Sequence, residues 1–165
     1  MKKLFTFLIV VSTSALWAQD ITNNEAPEFI VKMTDARIMG REEGRLAASL
    51  ATTKTIRDYG SLMVKDQEVL LAKLKQLAAS KNITLPNAIS EKKSKELMKL
   101  SKLRGEKFDR KFIKMMKIDH KRDIKKFKKA TAFEDADTKK FAKENLSMIE
   151  QHLDASVISY SFCSC

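Results

Sequence analysis

Glycine and proline are scarce in this chain, which contains four Gly and two Pro among 165 residues. An all-β fold needs many tight turns, and these two residues are the usual turn formers, so their scarcity argues against it. Residues that favour helices, such as lysine, leucine, alanine, methionine and glutamate, are plentiful instead. The composition therefore predicts an all-α protein, long enough for one domain with a sizeable core.

The motifs of several enzyme classes are also missing. The sequence has no Gly-rich phosphate loop and no nucleophile elbow. Its two cysteines, Cys163 and Cys165, lie in the C-terminal tail, residues 161–165, and pair with neither histidine. They could remain thiols, form a local Cys-x-Cys disulfide or bridge two molecules. Two thiolates alone are too few for a typical metal site, so nothing here favours an enzyme.

Residues 1–18 have the pattern of a secretory signal peptide. Lys2 and Lys3 form a basic start, followed by an apolar run and a small-residue end at Ala18. The apolar run is too short for a stable membrane span. No cysteine lies near Ala18, which argues against a lipoprotein anchor. We therefore expect cleavage after Ala18 and an exported protein, periplasmic or secreted.

The rest of the chain has apolar residues at helical spacing. We predict a bundle domain over residues 22–160, in which four long helices are amphipathic and briefly connected, an arrangement typical of an antiparallel bundle. The long helices are expected over about 22–51, 53–81, 106–130 and 135–160, with one additional short helix over 90–103. The fifth helix is expected to turn Phe141, Met148, Ile149, Leu153 and Val157 inward.

A few residues predict how these helices begin, end and pack. Gly40 and Gly44 lie near the apolar face of the first helix and should let another helix approach closely. Gly105 is expected to end the short helix, while Asp135 or Asp137 caps the fifth.

Six ionisable residues fall on or near faces that should be buried, and every long helix carries at least one. A buried carboxylate or imidazole is costly unless it is paired, hydrogen-bonded or bound to a metal. Carboxylates and imidazoles that converge from facing helices hold metals in some bundle cores, and such ligands suit iron, manganese or zinc. The candidate ligands are Glu43, Asp66, Asp119, His120, Asp123 and His152.

A structural role for the same residues stays open. The Glu-x-x-His signature of di-iron bundles is absent, because Lys117 and Ile149 stand three residues before the two histidines. Taken singly, each histidine is more simply a core residue bonded to a neighbouring carboxylate. Asp66 with His152, and Asp123 with a lysine, would be such structural pairs.

The positive charge is concentrated in one part of the chain. Residues 91–129 hold 17 Lys and Arg against 6 Asp and Glu, which accounts for the whole net charge of +11. A basic face that includes Lys121, Lys125 and Lys128 could attract anionic envelope polymers. More simply, these lysines form the solvated outer face of two helices. No aromatic residues are interleaved among these lysines to stack on bases, and export also argues against a nucleic-acid partner.

Several short motifs follow one another at characteristic distances over residues 29–159. They are Glu43-Gly44-Arg45-Leu46-Ala47, Met63-Val64-Lys65-Asp66, Leu85-Pro86, Phe108-Asp109-Arg110-Lys111-Phe112 before Asp119-His120, and Gln151-His152-Leu153. In this order they resemble the domain-of-unknown-function 4142 family, exported bacterial proteins placed among ferritin-like folds. The resemblance implies a ferritin-like antiparallel four-helix bundle. It implies no activity, because the family is named for lacking one.

The chain departs from the family pattern at two positions. The pattern has a glutamate where this chain has Gly40, and a histidine where it has Gln67. If those positions are metal ligands, a carboxylate and an imidazole are lost here. Glu43, one turn from Gly40, could replace the carboxylate, but the neutral amide of Gln67 is a poor substitute for an imidazole. The resemblance thus implies a degraded core site.

Three functional hypotheses follow. We favour a non-catalytic exported bundle that acts as a binding or envelope-stress module with structural polar residues in its core. The second is a ferritin-like protein that binds iron, manganese or zinc through the six candidate ligands. The third is an electrostatic adaptor that docks its basic face on anionic envelope polymers.

Overall fold

The protein folds into five helices, as seen in a computed structural model that describes residues 25–161. They are α1 Glu25–Leu50, α2 Lys54–Ser80, α3 Glu91–Ser101, α4 Gly105–Ala130 and α5 Ala136–Ser161. The described part of the chain contains no strand, which confirms the all-α prediction. The expected signal peptide and the Cys163–Cys165 tail lie outside the described residues. None of the described helices is long and apolar enough to span a membrane.

Two helix starts follow from caps that the sequence offers. Thr53 precedes α2, and its side chain accepts a hydrogen bond from the backbone N–H of Ile56 at 3.3 Å. Asp135 precedes α5, and its Oδ1 accepts from the backbone N–H of Thr138 at 2.8 Å. Of the two aspartates considered for the fifth helix, the first is therefore the cap.

The expected role of Gly105 is wrong. The short helix α3 ends at Ser101, and Gly105 is instead the first residue of α4, with φ of +60°. This left-handed conformation is easy for glycine and strained for other residues, so it lets the chain turn sharply from α3 into α4. Gly105 therefore marks the start of α4 rather than the end of α3.

Helices α1 and α2 lie unusually close together and run antiparallel. A Cβ atom added to Gly44 would lie 2.7 Å from the carbonyl oxygen of Gly60, and the reverse distance is also 2.7 Å. Neither position has room for a side chain, so the expected close approach at Gly44 is confirmed. Gly40 faces the side chain of Gln67 rather than the backbone of α2.

The two hairpins, α1–α2 and α4–α5, pack on each other in an antiparallel manner. Between α1 and α4, Glu25 pairs with Lys129 at one end, and at the other end Asp109 accepts from the backbone N–H of Thr52 at 3.2 Å. Between α2 and α5, Lys73 donates to Asn145 Oδ1 at 2.8 Å. The short helix α3 contacts α1 and α4.

The core consists of two apolar clusters. One is built around residues 26–33, 70–78, 127–133 and 141–149, and the other around residues 47–63, Leu100 and residues 108–116. On α1, α2 and α4 the candidate polar residues fall between these two stretches, and on α5 His152 lies between Ile149 of the first cluster and Ala155, which packs against the second. The antiparallel packing therefore stacks them into one polar layer across the middle of the bundle.

Most of the predicted apolar faces are buried, with one exception in α5. Phe141 and Ile149 lie in the first cluster, and Met148 packs against it. Val157, expected to face inward, is 46% exposed. The inward position in this turn belongs to Ser156, which is fully buried, because the helix rotates by about 100° per residue.

Candidate functional site

A partly enclosed cavity of about 60 Å³ lies in the polar layer, between α1, α2 and α4. Four of the six candidate residues line it: Glu43, Asp119, His120 and Asp123. Gly40 and Gln67, the two positions at which the resemblance implies a lost ligand, line it as well. Since a Cβ on Gly40 would lie 3.3 Å from Gln67 Cδ, a side chain at position 40 would crowd this space.

The innermost charged group of the cavity is Arg37 of α1. Its side chain is only 3% exposed and forms a salt bridge with Asp123 of α4 through Nη2. Burial lowers the pKa of this guanidinium to about 10, so it remains charged at neutral pH. Two of its nitrogen atoms, Nε and Nη1, have no hydrogen-bond partner among the described residues.

Glu43 lies one to two turns further along α1 and is almost fully buried. Burial raises the pKa of its carboxyl to about 8, although the cations Lys93 and Arg122 act in the opposite direction. The group is therefore mostly a neutral acid at pH 7, which avoids an uncompensated buried charge. Its Oε1 has no partner in the described part of the chain.

His120 of α4 is buried and neutral. Its Nδ1–H donates to the carbonyl oxygen of Met116 at 2.8 Å, which fixes the tautomer and leaves Nε2 as an acceptor. Burial, with the nearby charge of Arg37, lowers the pKa of the imidazole to about 3. Nε2 has no partner among the described residues.

The other histidine, His152 of α5, is held by a carboxylate outside the cavity. Its Nε2–H donates to Asp66 Oδ2 at 2.8 Å, which realises one of the two structural pairs considered from the sequence. Burial lowers the pKa of this imidazole, and Asp66 partly opposes the effect. The rings of His152 and His120 meet edge to face with centroids 5.4 Å apart. Tyr59 donates to the backbone carbonyl of His152 at 3.0 Å.

Three further cations surround the outer part of the cavity. Lys93 of α3 pairs with Asp35 at 3.1 Å, and Arg122 pairs with Asp119. Lys126 lies 3.8 Å from Asp123, the second structural pair considered from the sequence, although Arg37 makes the closer contact. Burial lowers the pKa of Lys126 to about 8, and neighbouring cations, led by Arg122, add to the effect.

The cavity is a poor fit for a transition metal. No group of three or more His, Cys, Asp or Glu side chains within residues 25–161 is placed to hold a metal ion. Of the candidate ligands, Asp123 is already engaged by Arg37, and Asp66 by His152. Among the candidates that line the cavity, only Glu43 and His120 offer atoms without a partner in the described part of the chain, and a charged guanidinium lies beside them. A metal ion would have to compete with that fixed positive charge.

The basic face considered from the sequence lies outside this site. Lys121, Lys125 and Lys128 are exposed on α4, as expected for solvated lysines. Lys128 pairs with Glu150 of α5 at 3.1 Å. None of the three lysines lines the cavity that contains His120.

Arg37 is the central residue that the sequence interpretation missed. It stands four residues after Met33 and three before Gly40, so the helical spacing already places it on the buried face of α1. Lys93 was not detectable in this way, because only the tertiary packing brings α3 to the cavity.

Comparison with known proteins identifies a family whose function is unknown. A family model described as Domain of unknown function (DUF4142) matches residues 12–156, which is most of the sequence. The chain therefore belongs to this family, and the resemblance carried by its motifs is confirmed. No curated protein and no solved structure matches it.

Proposed function

We propose that this protein is an exported, non-catalytic binding module whose site is the cavity in its polar layer. The single observation that carries the proposal is the set of unpartnered buried atoms on Arg37, Glu43, Gln67 and His120 around one space. Buried polar atoms are rarely left without partners, because each such atom loses its bonds to water. A polar ligand in the cavity would supply the missing partners.

Its architecture is proposed to be a ferritin-like four-helix bundle formed by α1, α2, α4 and α5. The two antiparallel hairpins and the polar layer between two apolar clusters support this arrangement. Export is proposed from the signal-peptide pattern of residues 1–18. An experimental structure, and the N-terminal sequence of the protein recovered from the periplasm or medium of its host, test these two points.

The binding proposal is tested by nuclear magnetic resonance with the mature, isotope-labelled protein. Small cationic, neutral and anionic polar molecules are added in turn, and the amide shifts of residues around the cavity are followed. At least one class should shift them saturably. Gly40→Leu, which fills the cavity, should abolish the response, whereas Ser49→Leu on the exposed side of α1 should not. No response to any class, or a response that Gly40→Leu leaves intact, would overturn the proposal.

A second candidate function is metal binding through a degraded ferritin-like site. The unpartnered Glu43 Oε1 and His120 Nε2, both buried, favour it. Elemental analysis of the untagged mature protein, after anaerobic loading with iron, manganese or zinc, tests it. This candidate requires about one ion or more per chain, lost in a His120→Ala, His152→Ala double variant. A wild-type protein that stays empty would exclude it.

A third candidate is an adaptor that docks its basic face on anionic envelope polymers. The exposed Lys121, Lys125 and Lys128 favour it. Binding to an anionic polysaccharide should weaken with added salt and with reversal of these three charges, because exposed charges are screened. His120→Ala should leave such binding unchanged. Binding that is insensitive to both salt and charge reversal would rule this role out.

A further inference from the structure

The chemical class of the ligand can be read from the charges and free donors of the cavity. We propose that the cavity binds a small oxyanion, a carboxylate or a phosphate, which accepts hydrogen bonds from the guanidinium of Arg37. This inference rests on the proposed function of the cavity as a binding site and specifies what occupies it.

Most of the N–H donors of Arg37 have no acceptor among the described residues. A guanidinium carries five N–H bonds. Nη2 serves Asp123, while Nε and Nη1, which carry three N–H bonds, have no acceptor among the described residues. The side chain is only 3% exposed, so bulk water does not solvate these groups freely. An oxyanion offers several lone pairs in a small volume and is a preferred partner of arginine.

The side chains that line the cavity include more cations than ionised acids. Four cationic side chains line it, Arg37, Lys93, Arg122 and Lys126, against the two aspartates Asp119 and Asp123. Glu43, the remaining acid of the wall, is mostly neutral at pH 7. Asp35 balances Lys93 at 3.1 Å, but an excess of positive charge still remains in this partly enclosed space, where charges interact more strongly than in water. An anion would relieve this repulsion and a metal cation would increase it.

The exposure of the cationic side chains falls from the mouth of the cavity to its inner end. The side chain of Arg122 is 54% exposed, that of Lys126 37% and that of Lys93 27%. Arg37, at the inner end, is buried. The more exposed cations near the mouth attract an anion over several ångströms, and the buried guanidinium then binds it.

The size of the cavity limits the ligand further. Pockets for drug-sized molecules measure roughly 300–1,000 Å³, whereas this cavity measures about 60 Å³. It therefore suits an ion of a few heavy atoms, such as acetate or inorganic phosphate, or the terminal oxyanion group of a larger molecule that extends through the mouth.

The test is isothermal titration calorimetry of the mature protein with sodium acetate and with sodium phosphate at constant ionic strength, in which sodium chloride is the reference. At least one oxyanion should bind with a defined stoichiometry while chloride does not compete at similar concentration. Acetate alone would assign a carboxylate ligand, and phosphate alone a phosphate ligand.

Two variants of Arg37 distinguish oxyanion binding in the cavity from oxyanion binding by the surface lysines. The double variant Arg37→Met, Asp123→Leu removes the donors without changing the net charge and without leaving a buried charge unpaired. Arg37→Lys keeps the charge but loses the planar donor group. Both should raise the Kd at least about tenfold, as expected for the loss of a charged hydrogen bond. The control Arg41→Met, one turn along α1 and outside the cavity lining, should change the Kd less than about twofold.

Failure of this inference differs from failure of the proposed function. Saturable binding of only neutral or cationic molecules, abolished by Gly40→Leu, would keep the function and overturn the oxyanion assignment. Oxyanion binding that both Arg37 variants retain, although circular dichroism shows them to be folded, would also overturn it. If no molecule of any charge binds, both proposals fail.

Discussion

At the residue scale, the unpartnered buried atoms of this protein are concentrated rather than scattered. Seven buried side-chain atoms lack a hydrogen-bond partner within the described part of the chain, and six of them belong to the polar layer. The exception is Thr138 Oγ1 near the start of α5. Because each such atom costs roughly 1–3 kcal/mol, this clustering supports the proposed binding site better than scattered packing defects would.

The protonation of Glu43 should make stability depend on pH. Burial raises its pKa in the folded protein to about 8, above the ordinary value of 4.5. The stabilising effect of protonation is therefore fully present below pH 4.5 and is lost as the pH rises to about 8. Glu43→Gln removes this dependence, so its stability relative to wild type should rise over this range by up to roughly 4 kcal/mol. Urea unfolding of both proteins at pH 5, 6, 7 and 8 measures this difference in unfolding free energy. If the free energies of wild type and variant change in parallel with pH, the prediction is wrong.

The buried salt bridge should behave as a coupled pair. Asp123→Leu alone leaves the Arg37 guanidinium buried without its counter-ion and should cost about 3–5 kcal/mol of unfolding free energy. The double variant with Arg37→Met should recover most of this loss. A double-mutant cycle measured by urea unfolding tests the coupling. Additive effects of the two single changes would show that the pair is not coupled in the folded protein.

At the element scale, α1 contacts α2 through two glycines, Gly40 and Gly44, which should differ in how well they tolerate a side chain. Gly44→Ala places a methyl group 2.7 Å from a backbone oxygen of α2, which cannot move easily, and should cost about 1–3 kcal/mol. Gly40→Ala meets the flexible end of Gln67 at 3.3 Å instead. Its gain in helix propensity, about 1 kcal/mol, should offset that contact. Thermal unfolding distinguishes the two variants, and equal losses would contradict the packing argument.

The short helix α3 should be the least stable element, because a single residue attaches it to the core. Leu100 is its only buried residue, whereas Met98 is 55% exposed. Leu100→Ala should cost about 2–5 kcal/mol locally and increase amide hydrogen exchange in α3. Met98→Ala, the matched control on the same helix, should leave exchange unchanged. Uniform exchange throughout the chain after Leu100→Ala would indicate global rather than local unfolding.

At the scale of the whole molecule, the net positive charge arises from one part of the chain. Residues 91–129 carry the entire net charge of +11 and form α3 and most of α4. Their mutual repulsion should be screened by salt, so the Tm should rise by a few degrees between about 20 and 200 mM sodium chloride. Lys125→Glu should reduce this dependence. A Tm that falls with salt would mean that favourable ion pairs dominate instead.

The sequence by itself determined the helices of this protein and most of its candidate site. Helix type and approximate boundaries follow from local spacing and caps, such as the apolar stripe of α4 and Asp135 before α5, because these depend on neighbours along the chain. The same spacing placed His120 and Asp123 on buried faces. The family motifs added membership in a family without an assigned activity.

Only the tertiary structure decided which polar residues meet and with what partners. Arg37 and Asp123 are 86 positions apart, as are Asp66 and His152, and both pairs depend on how the two hairpins align. Spacing along one helix indicates a buried face but not the group opposite it, so the sequence could not show that the guanidinium of Arg37 lies beside Asp123 and His120. The cavity exists because Gly40 leaves space beside Gln67, which is a property of packed neighbours rather than of either residue alone.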